Sequence, residues 1–141
     1  MFRLTKVLSS FLIILAAGCA SGPSGKTFNS ATGQWNMKLQ GPNINSVGSM
    51  TIIDDTKATY SRKNAYSRVN GRILFNSSEG ERNWAGYWVE EDEGPYECSE
   101  ARDGSKVWGE VSFQFNEAFN EFKGNSNICG EGINIPWNGS R

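Results

Sequence analysis

Val107-Trp108-Gly109-Glu110-Val111-Ser112-Phe113-Gln114-Phe115 is the stretch that decides the fold. Val107, Val111, Phe113 and Phe115 fall on one side of an extended chain, and Trp108, Glu110, Ser112 and Gln114 on the other. That period of two is a strand with one face buried. Just beyond it, Phe115, Ala118, Phe119 and Phe122 are spaced as on a short helix, with Asn116 as a possible N-cap and Gly124 as a possible stop. The same residues also fit a turn at Asn116 to Ala118 and a returning strand from Phe119 to Ile128. The strand is favoured, because Gly124, Asn125 and Asn127 suit a helix interior poorly.

Upstream the strand pattern recurs. Trp84-Ala85-Gly86-Tyr87-Trp88-Val89 is apolar on both faces and reads as a central, buried strand ended by Glu90 to Gly94. Tyr96 and Cys98 share a face of a short strand, followed by a turn at Asp103-Gly104. Trp35, Met37 and Leu39 alternate with polar neighbours from Gly33 on, and Gly41 to Asn43 break the run. Val47 to Ile53 and Ala58 to Ser61 predict a hairpin around Asp54 to Lys57. Tyr66 to Asn76 is a further strand, or a pair turning at Asn70-Gly71, a dipeptide suited to tight hairpins. Ser77 to Arg82 is a polar turn, and Ile135 to Arg141 is the last strand. The whole predicts an all-β domain at 33–141, a single small antiparallel barrel of about eight strands, with a β-sandwich as the alternative.

Arg3 and Lys6 precede an apolar run from Val7 to Ala17 that is too short to span a bilayer as a helix. It ends in Ala16, Ala17 and Gly18 and leads directly into Cys19. This resembles the lipobox of bacterial lipoproteins, in which the thiol is acylated and the chain is cut just before it. The resemblance implies a signal peptide at 1–18, palmitate-type acyl chains on Cys19 and a lipid-anchored place in the cell envelope. A plain secretory signal cut nearby is the alternative. Ala20, rather than Asp, implies release to the outer membrane, facing the periplasm, under the enteric sorting pattern. Residues 19–32 are small and polar apart from Phe28 and predict a flexible tether.

Loss of residues 1–18 leaves 12 of the 14 basic side chains against 15 acidic ones, a formal charge of −3. An acidic domain is a poor nucleic-acid binder, so no nucleic-acid partner is expected. With Cys19 given to lipid, Cys98 and Cys129 are an even pair in an oxidising compartment, and a disulfide between them is predicted over two buried free thiols.

Gly33-Gln34-Trp35 at the first strand and Arg141 at the last resemble the calycin group of lipocalins, avidins and small bacterial protease-inhibitor barrels. There a Gly-x-Trp plugs one barrel end and an arginine lies across the indole. The resemblance implies that Gly33, Trp35 and Arg141 close this barrel, and says little about ligand.

The chain has no histidine, which removes Ser-His and Cys-His triads and histidine metal sites. It has no phosphate loop or dinucleotide fingerprint, and no cofactor is expected. Glu90, Glu91, Asp92, Glu93, Glu97, Glu100 and Asp103 form an acidic stretch. Paired carboxylates there could run glycoside hydrolysis, or Asp92, Glu93 and Asp103 could hold calcium, but the spacing fits no calcium loop and a solvated loop is favoured. Lys57, Arg62, Lys63, Arg68 and Arg72 could form a basic face toward lipid phosphates or an anionic glycan, against the plainer reading of a polar outer wall. The repeats Trp84-Ala85-Gly86, Trp108-Gly109 and Trp137-Asn138-Gly139 place a glycine just after an indole. They are read as letting a neighbouring ring lie over the backbone rather than as a sugar-binding face.

These features predict a non-enzymatic, lipid-anchored binding or inhibitor module. An assembly accessory docking to an envelope complex is the alternative, and a carboxylate hydrolase a distant third. The expected partners are membrane lipid through Cys19 and an unknown protein, glycan or small apolar ligand. Trp84, Tyr87 and Trp88 are the candidates for an aromatic site.

Overall fold

The computed structural model describes residues 28–42, 44–63, 67–91 and 96–141. The expected signal, Cys19 and the expected tether up to Thr27 lie outside the described residues. The strands are β1 (Gly33–Gly41), β2 (Ile44–Ile52), β3 (Lys57–Lys63), β4 (Arg68–Glu79), β5 (Asn83–Glu90), β6 (Val107–Phe115), β7 (Glu121–Ile128) and β8 (Glu131–Ser140). Each pairs antiparallel with the next, and β8 returns to β1, with Leu39 opposite Trp137, to give a closed eight-stranded barrel. The all-β antiparallel barrel expected from the alternation is therefore the fold, and the sandwich is set aside.

Alternation sends Trp35, Met37 and Leu39, Met50 and Ile52, Ala58 and Tyr60, Ile73 and Phe75, Trp84 and Trp88, Val111, Phe113 and Phe115, Phe122, and Ile135 and Trp137 into the interior. Apart from Trp88, their rings form one connected stack. Tyr60 meets Trp137 at 5.1 Å between centroids, Trp137 meets Phe113 at 5.6 Å, Phe113 meets Phe122 at 4.4 Å, and Phe122 meets Trp35 at 5.3 Å. Inward glycines make room for these rings on adjacent strands. A Cβ on Gly71 would lie 2.2 Å from Tyr60 Cζ, and one on Gly139 would lie 2.0 Å from Phe122 Cε1.

That close approach explains why Asn70-Gly71 makes no turn. Gly71 sits inside β4 beneath the Tyr60 ring, and the strand runs straight through the dipeptide. It extends to Glu79, past a bulge between Phe75 and Ser77, so the turn expected from Ser77 is confined to Gly80–Arg82. Tyr96 and Cys98 form no strand either. β5 and β6 already pair with each other, and Cys98 is buried outside the barrel by its disulfide.

Of the two readings after Phe115, the strand is correct, but it starts at Glu121. Asn116 makes the turn: its Oδ1 accepts from the backbone N–H of Asn120 at 3.0 Å and of Glu121 at 3.2 Å. Phe119 takes a left-handed φ of 47° there, and its ring packs 6.1 Å from Phe115.

The chain does not dangle as far as Thr32. Phe28 donates its N–H to Ala118 O at 2.8 Å, Ala31 is fully buried, and Trp35 Nε1 donates to Ala31 O at 2.8 Å. Residues 28–32 are thus part of the packed end of the barrel, contrary to the tether expected there.

Gly71→Ala should destabilise the domain by about 1–3 kcal/mol, because the methyl must displace a ring held by Trp137 on its other side. Urea unfolding measures this.

Candidate functional site

The aromatic candidates do not converge. Trp84 and Trp88 share inward parity on β5 and are buried in the core, each with its N–H satisfied by a carbonyl, Glu81 O at 3.1 Å and Asn127 O at 3.0 Å. Tyr87, of opposite parity, faces outward under Arg102. Strand alternation alone separates Tyr87 from its two neighbours. The depressions on the barrel wall are lined mostly by outward residues, such as Asn83, Gln114 and Lys123 in one and Asn76, Arg102 and Asn127 in another.

One barrel end, where β1 starts and β8 finishes, is closed by Arg141. Its guanidinium lies 4.4 Å from the Trp35 ring centroid and 3.8 Å from that of Phe28. Its Nε donates to Phe119 O at 2.6 Å, Nη1 to Thr32 O at 2.7 Å, and Nη2 to Ser30 O. Gly33 takes φ 123°, and a Cβ there would come within 3.1 Å of Arg141 Nη1. Arg141 therefore covers Trp35 and lies against Gly33 at this near end.

The far end carries a charged cluster that sequence reading missed. Glu90 reaches inward from the end of β5 and is 5 % exposed. It accepts from Arg62 Nε at 2.7 Å, Arg62 Nη2 at 2.8 Å and Tyr60 Oη at 2.9 Å. Burial, and then the adjacent Glu90 carboxylate, push Tyr60 well above the ordinary phenol range. Burial opposes the charge of Arg62, but hydrogen bonding and attraction to Glu90 outweigh it and raise the group. The residues are 28 and 30 positions apart in sequence. Only the barrel register joins them, with Gly71 opposite both Tyr60 on β3 and Glu90 on β5.

Outside the same end, residues 96–106 pack over the outer face of β5 and β6. Cys98 and Cys129 are bonded, with S–S at 2.07 Å and Cα–Cα at 5.3 Å. Cys98 packs with Val89 and Trp108 in a small second core. Arg102 lies over two rings, 4.4 Å from Trp108 and 5.3 Å from Tyr87. Trp108 Nε1 donates to Glu100 O at 2.8 Å, and Arg72 Nε binds Asp103 Oδ2 at 2.7 Å. Tyr96 stands out from this segment, 55 % exposed.

Of the acidic candidates, Glu90 is committed to Arg62 and Tyr60, and Asp103 and Glu91 to Arg72. Asp92 and Glu93 lie outside the described residues. Among the described residues no three cysteine or carboxylate groups converge as a metal site. The basic run is divided as well: Arg62 points inward and Arg72 is neutralised, which leaves Lys57, Lys63 and Arg68 on the outer wall.

Comparison of the chain with family models, with curated proteins and with solved structures returns no match. The functional reading therefore rests on this geometry.

Glu90→Gln should cost about 3–5 kcal/mol in chemical denaturation, since it strands the Arg62 charge, whereas replacing Arg62 and Glu90 together by Leu should cost much less. Tyr60 also sets an alkaline limit. Its folded pKa is raised, so stability is full below the unfolded value of about 10 and falls as pH rises beyond it. Tyr60→Phe should flatten that alkaline limb in melts recorded between about pH 8 and 11.

Proposed function

We propose that this chain is an envelope lipoprotein, anchored by acyl chains on Cys19, whose barrel is a rigid non-enzymatic scaffold presenting residues 96–106 to a protein partner as a binding or inhibitor module. The observation that carries the reading is the fixation of that segment. A disulfide, an Arg72–Asp103 ion pair, an arginine stacked over two rings and a Trp108 hydrogen bond hold it, while Tyr96 remains exposed. A pre-ordered segment avoids ordering costs of about 0.5–1.5 kcal/mol per immobilised side chain on binding.

The packed aromatic interior disfavours a small ligand held inside the barrel. The chain enters at the Arg141 end, and the 96–106 segment connects strands at the opposite end. A tether from Cys19 would leave that segment facing away from the lipid. The likeness of Gly33, Trp35 and Arg141 to calycin barrels, some of them protease inhibitors, supports the same reading.

A photo-crosslinking residue at position 96 in whole cells should capture a discrete protein adduct that is absent when the crosslinker replaces Thr51 on β2. The adduct should be lost in the Cys98→Ser, Cys129→Ser double variant, and Cys19→Ser should abolish labelling with palmitate. Equal adducts from both positions, or an adduct indifferent to the disulfide, refutes the presented segment. Palmitate uptake by Cys19→Ser refutes the anchor.

A further inference from the structure

Cross-strand register builds a row on the outer wall that linear sequence does not display. Lys38 on β1 lies opposite Val47 on β2, Val47 opposite Lys63 on β3, and Lys63 opposite Arg68 on β4. All four side chains are exposed, Val47 at 56 %. With adjacent strands about 4.8 Å apart, the row spans roughly 14 Å near the far end of the barrel.

Lys63 and Arg68 face each other directly, an arrangement that costs stability unless an anion sits nearby. Arg68 Nη1 reaches Ser61 Oγ at 3.4 Å, and among the described residues neither cation, nor Lys38, pairs with a carboxylate. The outward positions of β1, β2, β3 and of β4 up to its bulge hold no acidic residue at all. They carry Gln, Asn, Ser, Thr, Leu74 and Val47 beside the cations. Asp54 and Asp55 stand in the β2–β3 turn at the near end, away from the row, and Glu79 follows the bulge of β4; the other described carboxylates lie on β5 to β8 and their connections, including Glu91, Glu100, Asp103, Glu110, Glu117 and Glu121. A domain of net negative charge thus presents one wall whose outward strand positions hold no negative group.

We propose that this wall, with Lys38, Val47, Lys63 and Arg68 at its centre, docks on the phosphates of an anionic bilayer surface. Among the described residues the exposed apolar side chain within the row is aliphatic, Val47, and Ile53 lies beyond the end of β2 at the other end of the wall. Aliphatic groups between cations suit the head-group boundary of a membrane. An acidic glycan would be served by exposed rings for sugar stacking, and among the described residues this wall shows none, its neighbouring Tyr60 being turned inward. Docking here leaves the 96–106 segment on the other side of the barrel. The proposal does not depend on the acyl anchor.

The test is flotation of the full chain carrying Cys19→Ser with vesicles of phosphatidylcholine, alone or mixed equally with phosphatidylglycerol. The anionic vesicles should bind it at least about tenfold better, with the difference erased at about 0.5 M salt. Lys38→Gln, Lys63→Gln and Arg68→Gln together should weaken that binding about a hundredfold, at roughly fivefold per cation. Arg82→Gln, Lys106→Gln and Lys123→Gln, which remove the same charge elsewhere, should change it less than about twofold. Thermal melts of the first triple variant should match or exceed the parent, since opposed like charges are removed. If that variant does not fold, Val47→Ser is measured alone and should weaken binding several-fold. No preference for anionic vesicles, an equal loss in the control variant, or binding to polygalacturonate without flotation overturns the proposal.

Discussion

The interior width of an eight-stranded barrel governs this molecule. Such a barrel is just wide enough for its own side chains, and here the filling is a connected stack of indole, phenyl and phenol rings. Rings this large fit only because the facing positions are glycine, as where Tyr60 covers Gly71 and Phe122 covers Gly139. Tilted and edge-on ring pairs each add about 0.5–1.5 kcal/mol beyond the area they bury. One indole N–H, Trp137 Nε1, is left in this stack without a partner among the described residues, a cost of about 1–3 kcal/mol that the packing must offset. A core so filled leaves the ends and the outer wall as the surfaces that meet the surroundings.

The two ends are closed by different chemistry. At the near end Arg141 lies between rings and carbonyl oxygens and carries no carboxylate partner among the described residues; burial lowers its pKa, and its charge is satisfied by three backbone oxygens and two aromatic faces. The far end has a true ion pair. Removing either Arg62 or Glu90 alone would leave a poorly hydrated charge, so the pair ties β3 to β5 across the β4 strand between them. Outside that end the disulfide and the arginine over Trp108 and Tyr87 add a second small core. This explains why Trp84 to Val89 is apolar on both faces: one face meets the barrel interior, and the other lies beneath residues 96–106.

Legibility in the sequence followed the range of the interaction. Val107 to Phe115 displays its strand because alternation is local, and the even cysteine pair displays its bond once an oxidising compartment is assumed. Asn70-Gly71 misleads because glycine serves two purposes, the left-handed turn and close approach, and only the ring on the neighbouring strand decides between them. Trp84, Tyr87 and Trp88 look like a cluster on paper, but alternation assigns Tyr87 to the opposite face. The Tyr60–Arg62–Glu90 contact was invisible for the reverse reason: its members are distant in sequence and meet only through register. Phe28 was the one apolar residue in a polar run, and its position under Arg141 shows that a single ring can mark the point where the packed domain begins.

Register also explains how a chain of mixed composition can divide its charge. β1 to β4 are joined by short connections, so residues at equal heights on four successive strands come into line, and Lys38 joins Lys63 and Arg68 although 25 positions separate it from the nearer of them. The longer connection between β5 and β6 carries acidic side chains and folds onto its own side, where Arg72 at the boundary takes up Asp103 and Glu91. Because the barrel is closed and its core rigid, these two walls cannot exchange places or merge. Whatever meets the cationic wall therefore fixes the direction in which the stapled segment points, so that the packing of rings inside determines the orientation of the surfaces outside.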